Sequence, residues 1–334
     1  MRILFILKFR QVYSGGYTTD FPSGLLNSAL LVSDMLNSQG FVSKVVEVVD
    51  NNSIDKEVHD FNPDVVIIEA LWVVPEKFAI LKQLHPNVKW VVRIHSEMPF
   101  LAQEGIAIQW IKQYAAIPDV YVGTNSIRCF GDLSSIVDPN KLLLLPNFYP
   151  TLKKLPGAAK HTGLDIACFG AIRPFKDQLM QAVAAIKYAE QAGEIIRFHV
   201  NSSRVEDGSE VLKNLRALFA GTEHTLVENT WMDRPTFLAL LATMDLSMTV
   251  SFTETFCIVA ADSVSVGVPL VTSPEVPWSI KDLQASPTNS KDIVNKISKA
   301  LGWKSSIFNF MDRRSLQKYS SNSRAAWIKE LKGL

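Results

Sequence analysis

A polar turn between a predicted strand and a predicted helix has the composition of an anion-binding site. The strand is predicted over 246–250, the turn ends in Glu254 and Thr255, and the helix is predicted over 256–266. The first amides of a helix have no partner within it and carry the positive end of the helix dipole, which suits a phosphate group. In this sequence those amides belong to Phe256, Cys257 and Ile258.

Two carboxylates flank the start of this helix. Glu254 lies just before it, and Asp262 lies about two turns along it. At ~1.5 Å per residue the two acids are separated by roughly 9–12 Å along the helix direction. Such a separation fits a diphosphate that lies between them, with one acid on each flanking sugar.

This stretch resembles the signature of the family-four glycosyltransferases of GT-B fold. The signature is a Glu, seven residues, a second acid and then Gly-x-Pro, here Glu254, Asp262, Gly267 and Pro269. The resemblance implies that Glu254 faces the donor sugar and that Asp262 binds the ribose hydroxyls. Two departures are the shorter Asp262, where the family has Glu, and Cys257, where it prefers Gly.

A second match follows the first predicted strand of the second half. The family has Gly-Arg there, then a Lys and a Gly, and its two cations hold the diphosphate and stabilise the leaving charge. Lys176 falls on the family's lysine, whereas Ala171 stands at the arginine position and Asp177 follows the lysine. We therefore expect Arg173 to supply the second cation. The resemblance thus gives Lys176 and Arg173 catalytic roles.

Four further candidates complete the predicted site, and two of them, His95 and Trp231, come from the same resemblance. His95 directly follows the predicted strand 89–94, where the family delivers a His to the transferred sugar. Gly15 and Gly16 lie in the loop after the first strand, where their amides are expected to approach the donor's phosphate or the acceptor. Trp231 stands where the family's chain passes the nucleotide base, so it either stacks on the base or packs in the core.

The elements that must position these residues form two α/β halves. Short apolar runs alternate with helical patterns in both halves, which is typical of βαβ units and parallel sheets. The prediction is an α/β, GT-B architecture with two Rossmann-like domains whose sheets face an interdomain cleft, since ligands lie at the carboxyl ends of such strands. The expected divisions are 1–150 on the acceptor side, 151–312 for the nucleotide-sugar, and a helix at 313–334 that crosses back.

The candidate strands and helices have definite bounds. In the first half we predict strands over 2–7, 44–49, 64–69, 89–94, 119–123 and 142–145, and a helix over 24–38. In the second half we predict strands over 164–170, 195–200, 225–228, 246–250 and 269–272, and helices over 177–191, 209–219, 235–243 and 256–266. The proline-rich segment 146–157 between the halves is predicted as the linker.

Composition excludes several other classes. The 334 residues are 47% hydrophobic and balance 34 basic against 33 acidic residues, so neither disorder nor a chain-wide basic field is indicated. Three scattered cysteines indicate a reducing compartment, and we expect a cytoplasmic protein without stable membrane insertion. Residues 291–334 carry 10 basic against three acidic residues, which indicates a solvated helix face or an anionic partner such as nucleic acid or a membrane surface.

The predicted function is transfer of a hexose from a nucleotide-sugar, with UDP as the expected nucleotide, to a hydroxyl acceptor. Retention of configuration is expected, and the acceptor is a saccharide or a lipid-linked molecule. The chain has no Asp-x-Asp motif, so we expect no metal and no cofactor beside the nucleotide-sugar co-substrate. The alternatives are a phage-type DNA glycosyltransferase acting on a hydroxymethylated base, a nucleotide-sugar epimerase, and a nucleotide-sugar-binding pseudoenzyme.

Overall fold

The computed structural model describes residues 1–9, 12–14, 17–19, 24–150 and 162–334. Gly15, Gly16 and the linker residues 151–157 lie outside the described residues. The described chain divides into two compact units, of which the first comprises 1–9, 24–150 and 319–334 and the second comprises 12–14, 17–19 and 162–318. Over this part of the chain, no helix is both long and apolar enough to cross a membrane.

The first half of the chain alternates strands with helices. Its strands are β1 (Arg2–Lys8), β2 (Val12–Ser14), β3 (Tyr17–Thr19), β4 (Val42–Val48), β5 (Val65–Glu69), β6 (Lys89–Ile94), β7 (Val120–Thr124) and β8 (Leu142–Leu144). Its helices are α1 (Gly24–Ser38), α2 (Ile54–Phe61), α3 (Lys77–Leu84), α4 (Met98–Leu101), α5 (Ala107–Ala116) and α6 (Ile127–Leu133). β2 and β3 pair as an antiparallel hairpin.

The sheet of the first unit is wholly parallel and has the strand order β4-β1-β5-β6-β7-β8. In β1 the five residues 3–7 are all buried, as a strand covered by helices on both faces requires. Leu4 and Ile6 enter one hydrophobic core, while Ile3 and Phe5 enter a second core that also contains Trp327. The period of two along the strand thus supplies both faces of the sheet.

The second unit repeats this plan with five parallel strands in the order β11-β10-β9-β12-β13. Its strands are β9 (Leu164–Ala167), β10 (Ile196–Asn201), β11 (Thr225–Asn229), β12 (Leu246–Thr249) and β13 (Leu270–Thr272). Its helices are α7 (Gln178–Ala192), α8 (Ser209–Phe219), α9 (Arg234–Leu241), α10 (Ile258–Val266) and α11 (Ser290–Leu301), followed by α12 (Ser305–Gly333), whose last turns belong to the first unit.

All the strands and helices predicted from hydrophobic pattern are confirmed with ends within three residues, apart from the terminal helix. That helix begins at Ser305 rather than at 313, since its first two turns carry exposed apolar residues that obscure the periodicity. Helix α10 begins two residues later than predicted. The reason is Cys257, which has φ 61° and ψ 87°, a left-handed conformation that a right-handed helix cannot include.

Trp327 packs the end of α12 into the hydrophobic core of the first unit. Its ring is fully buried against Phe5, with ring centroids 5.8 Å apart, and its Nε1 donates to the carbonyl of Pro146 at 2.7 Å. The guanidinium of Arg93 lies 5.2 Å from the centroid of the same ring. The indole therefore fills a core position and satisfies its only donor at the same time.

We expect Trp327→Ala to lower the free energy of unfolding by about 3–5 kcal/mol, because it opens a cavity in a close-packed core. Urea unfolding followed by circular dichroism measures this loss. Trp303→Ala is the matched control, since Trp303 is 86% exposed, and it should change the free energy by less than about 0.5 kcal/mol. Equal losses in the two variants would contradict the assigned role of Trp327.

Candidate active site

Two loops meet at the carboxyl edge of the second sheet, one after β9 and one after β12. They bring Lys176 and Glu254 into an ion pair, although the two residues are 78 positions apart in the sequence. The amide of Phe252 donates to the carbonyl of Phe175 at 2.9 Å, which joins the backbones of the loops. Gln181 of α7 joins them again, because its Nε2 donates to the Lys176 carbonyl at 2.7 Å and its Oε1 accepts from the Val250 amide at 2.9 Å.

The Lys176–Glu254 pair is largely withdrawn from solvent, with 16% and 10% of the two side chains exposed. Burial opposes the charge on Lys176, but the Glu254 carboxylate outweighs it and raises the pKa of the ammonium group. The lysine is therefore a fixed positive charge at neutral pH. The charge of Arg173 acts on Lys176 in the opposite direction, lowering its pKa, so the structure brings these two predicted cations close together.

The backbone around the start of α10 is held in a specific shape. Phe256 is buried, and its carbonyl accepts a hydrogen bond from Trp278 Nε1 at 2.8 Å. Of the three amides predicted to bind phosphate, only that of Ile258 is a first amide of α10, which lacks a partner within the helix, whereas Phe256 and Cys257 precede the helix. Burial raises the pKa of the Cys257 thiol to about 11, so it is not a thiolate nucleophile at neutral pH. Gly267 ends the helix with φ 96°, and this explains the Gly-x-Pro that follows the second acid.

Asp262 is engaged by a residue that the sequence analysis did not select. Arg234, at the start of α9, places Nη2 at 2.6 Å from Oδ1 of Asp262 and Nη1 at 3.3 Å from Oδ2. This two-point contact matches the planar guanidinium to the carboxylate. The aspartate is almost fully buried, whereas Arg234 keeps 20% of its side chain exposed. A ligand that contacts Asp262 therefore shares it with Arg234.

The other predicted residues of the second unit lie in the neighbouring loops. Arg173 forms an ion pair with Glu206, with Nη1 and Oε2 3.4 Å apart. Trp231 follows β11 and is half-buried, its amide donating to Ser203 Oγ at 2.6 Å. The guanidinium of Arg204 lies 4.8 Å from the centroid of the Trp231 ring. Both predicted alternatives for Trp231 thus stay open.

A separate polar network lies at the carboxyl edge of the first sheet. Arg93 and Glu69 are both fully buried, and Arg93 Nη1 donates to the two oxygens of Glu69 at 3.0 and 3.2 Å. His95 Nε2 is hydrogen-bonded to Glu69 Oε2, and its Nδ1 lies 3.2 Å from Asn125 Nδ2. Arg93 also donates to Asn147 Oδ1 at 2.6 Å. The network is built from residues at the ends of β5 and β6 and from residues just after β6, β7 and β8.

The charges in this network determine the state of His95. Burial raises the pKa of Glu69, but Arg93 and His95 outweigh it and hold that pKa below its usual value, so Glu69 is ionised. Burial lowers the pKa of His95, which is therefore neutral at neutral pH. With an ionised carboxylate at Nε2, that nitrogen carries the proton, and Nδ1 accepts from Asn125.

Sequence reasoning missed Glu69 and Arg234. Glu69 closes an apolar strand, so the rule that ligands meet the carboxyl ends of parallel strands supplies a signal for it. Arg234 has no comparable signal, because Asp233, Arg234 and Pro235 form an ordinary helix start in which Asp233 accepts from the Thr236 amide at 2.8 Å. In the described part of the chain, no three or more His, Cys, Asp or Glu side chains are grouped so that they could hold a metal ion.

Comparison with known proteins identifies the fold. No family model matches the sequence, and no curated protein matches it. Sucrose-phosphate synthase from Thermosynechococcus elongatus superposes with a TM-score of 0.72 at 12% identity, covering 99% of this chain and 98% of that chain. HepE from Anabaena, in complex with UDP-glucose, superposes with a TM-score of 0.69 at 12% identity over 100% of both chains.

A third neighbour is the UDP-forming α,α-trehalose-phosphate synthase from Burkholderia vietnamiensis, with a TM-score of 0.68, 11% identity, and coverage of 99% of this chain and 97% of that chain. These neighbours are GT-B glycosyltransferases, so the predicted α/β fold of GT-B type is confirmed. The resemblance to family four in particular stays a prediction. The roles of the individual site residues stay predictions as well.

Asp177, next to Lys176, gives this site a pH-dependent stability. Burial raises its pKa to about 7, well above the ~3.9 of an unfolded chain. The folded protein therefore favours the protonated carboxyl. The stability that this group contributes is fully present below pH ~3.9 and is lost as pH rises through about 7. We expect Asp177→Asn to become progressively more stable than the unsubstituted protein between pH 4 and 7, by at most ~1.4 kcal/mol per pH unit.

Urea unfolding at several pH values measures this difference. The matched control is Asp207→Asn, because Asp207 is exposed and has a similar left-handed backbone, with φ 51° against 52° for Asp177. A difference that is independent of pH for Asp177→Asn, or equal in the two variants, would contradict the prediction.

Proposed function

We propose that the protein is a glycosyltransferase that moves a sugar from a nucleotide-sugar, with UDP as the nucleotide, to a hydroxyl acceptor. The observation that carries the proposal is the buried Lys176–Glu254 ion pair at the carboxyl edge of the second sheet, in the loops that follow β9 and β12. The same edge leads into the helix that contains Asp262. A neighbour of the same fold was solved with UDP-glucose, and another is described as UDP-forming, which supports the choice of nucleotide.

The charges suit the departure of a nucleoside diphosphate. In the proposed reaction the bond between the anomeric carbon and a diphosphate oxygen breaks, and the acceptor oxygen bonds to that carbon. The acceptor attacks from the face that the diphosphate leaves and passes its proton to the departing phosphate, so configuration is retained without a covalent enzyme intermediate. Lys176, Arg173 and the first amides of α10 stabilise the developing negative charge, and each preorganised donor of this type contributes ~3–4 kcal/mol.

Each acid has a distinct proposed task. Glu254 orients the donor sugar and stabilises positive charge at its anomeric carbon, while Asp262 accepts hydrogen bonds from the ribose hydroxyls. Because Lys176 is paired with Glu254 before donor arrives, a diphosphate must compete with that carboxylate for the ammonium group. His95, neutral and held by Glu69 and Asn125, is proposed to contact the transferred sugar.

The acceptor is proposed to be a saccharide or a lipid-linked molecule, and the reaction is proposed to need no metal ion. The three free, buried cysteines fit a reducing compartment such as the cytoplasm. Turnover of UDP-, GDP- and ADP-sugars in the presence of EDTA tests the donor and the metal requirement together. The acceptor pool contains mixed saccharides, a lipid-linked saccharide and hydroxymethylated duplex DNA. Turnover that persists in EDTA is expected, and its absence with every donor would overturn the proposal.

We expect Glu254→Gln to lower kcat by about 100–1,000-fold, since it removes charge that acts in the transition state. The Kd for UDP should stay the same or fall, because Lys176 loses a competing carboxylate. Steady-state kinetics and calorimetry measure the two quantities. The matched control is Glu223→Gln at an exposed position, which should change neither. A Kd for UDP that rises in step with the loss of kcat would show that Glu254 serves only to hold the fold of the site.

The ribose role of Asp262 predicts a particular pattern of nucleotide affinities. Asp262→Asn should weaken UDP binding by about tenfold, which is the value of a hydrogen bond to a charged group. It should leave the weaker binding of 2′,3′-dideoxy-UDP nearly unchanged. Calorimetry with each nucleotide on the unsubstituted protein and on Asp262→Asn shows whether the lost affinity depends on the ribose hydroxyls. If both nucleotides lost affinity equally, Asp262 would act by holding Arg234 and the fold and not by binding the ribose.

A further inference from the structure

An apolar patch is exposed around the start of α12. It consists of Trp303, Ile307, Phe310 and Met311, which are 86%, 50%, 63% and 40% exposed. The last three lie three and four positions apart on the first turns of the helix, so they share one face. The opposite face holds Phe308, Asp312 and Leu316, which are buried. Four large exposed apolar side chains thus lie within nine residues, and exposed apolar patches mark interaction sites.

Basic residues outnumber acidic ones beside the patch, where the nearby acid Asp282 is paired with Lys299. Arg314 and Lys318 continue the exposed face of α12, and Lys304 lies over the Trp303 ring with Nζ 4.7 Å from its centroid. Across the described residues, none of these three cations has an ion-pair partner. Asp312 is the only acidic residue between 293 and 329, and burial raises its pKa to about 7. Lys299 is nearby, but it is paired with Asp282 and adds little charge.

The combination of side chains favours a lipid surface over a nucleic acid. Ile307 and Met311 have no aromatic face on which a base stacks, whereas nucleic-acid sites alternate aromatic rings with cations along a groove. Trp and Phe beside aliphatic side chains, with Lys and Arg at the margin, are the composition of helices that lie in the headgroup region of a bilayer. The excess of positive charge selects anionic lipids.

We propose that this patch, Trp303 to Met311 with Lys304, Arg314 and Lys318, docks the protein reversibly on an anionic membrane surface. The apolar side chains enter the headgroup region, and the cations contact lipid phosphates. The proposal is independent of the proposed transfer reaction, because none of these residues belongs to the candidate active site.

Co-sedimentation with vesicles tests the proposal. The vesicles contain phosphatidylcholine alone or phosphatidylcholine with about one third phosphatidylglycerol. We expect binding to the anionic vesicles only, weakened by added salt. Lys304→Glu with Arg314→Glu should weaken it by at least about 25-fold, at roughly fivefold for each lost cation. Trp303→Ser with Phe310→Ser should abolish detectable binding.

The chain offers a matched control for the apolar variant. Ile80 and Leu84 lie one turn apart at the end of α3 and are 52% and 53% exposed. Ile80→Ser with Leu84→Ser removes a similar area elsewhere and should leave vesicle binding unchanged. Circular dichroism shows whether each variant folds. If the patch variant fails to fold, Trp303→Phe serves instead, since it should keep binding but lose the blue shift of tryptophan emission on vesicles.

Three results would overturn the proposal. The first is equal binding of all variants, or no binding, to anionic vesicles. The second is that the protein binds a single-stranded oligonucleotide but no vesicles, and that the patch variant abolishes this binding. That result would assign the patch to nucleic acid. The third is concentration-dependent dimerisation, abolished by the patch variant without any vesicle binding, which would assign it to a second copy of the chain.

Discussion

Charges buried at the carboxyl edge of a parallel sheet must be paired, and this constraint shapes the second unit of the protein. Lys176 and Glu254 occupy loops from neighbouring strands, and each is the partner that makes burial of the other tolerable. Removing one leaves an uncompensated charge, which destabilises a protein far more than the intact pair stabilises it. The positions of the loops after β9 and β12 are therefore coupled, and Gln181 reinforces the coupling through the backbone.

The first unit meets the same constraint by a different route. Its buried arginine, Arg93, is surrounded by Glu69, by the carbonyl of Leu145 at 2.8 Å and by Asn147. These acceptors satisfy both the charge and the directional donors of the guanidinium. Burial keeps His95 neutral, and the ion pair gives it a defined tautomer, because the carboxylate that balances Arg93 also accepts from His95 Nε2. A structural ion pair thus fixes the tautomer of a candidate site residue.

The sequence predicts most of the fold because both sheets follow hydrophobic pattern closely. The buried run of β1 and the helix that ends at Ser38 before Gly40 are local signals. The pairing of Lys176 with Glu254 depends on β9 lying beside β12, and strand order is not a local property. Arg234 was missed for the same reason, since its contact with Asp262 joins α9 to α10 across 28 residues. Charged residues in loops have no periodicity, so only the folded chain shows which of them meet.

At two positions of the site the backbone has a left-handed conformation, and there the shape of the backbone matters more than the identity of the side chain. Asp177 and Cys257 have φ of 52° and 61°, and both stand where the family that the sequence resembles has glycine. A left-handed residue with a Cβ costs roughly 1–2 kcal/mol, and such strain persists only when the surrounding structure imposes it. Asp177 directly follows Lys176 of the buried ion pair, and Cys257 directly precedes the start of α10. The same tertiary contacts that bury the charges therefore hold the backbone in the shape that glycine would adopt without strain. The Cβ and thiol of Cys257 add volume directly before the amides of α10, so a ligand of those amides must fit around them.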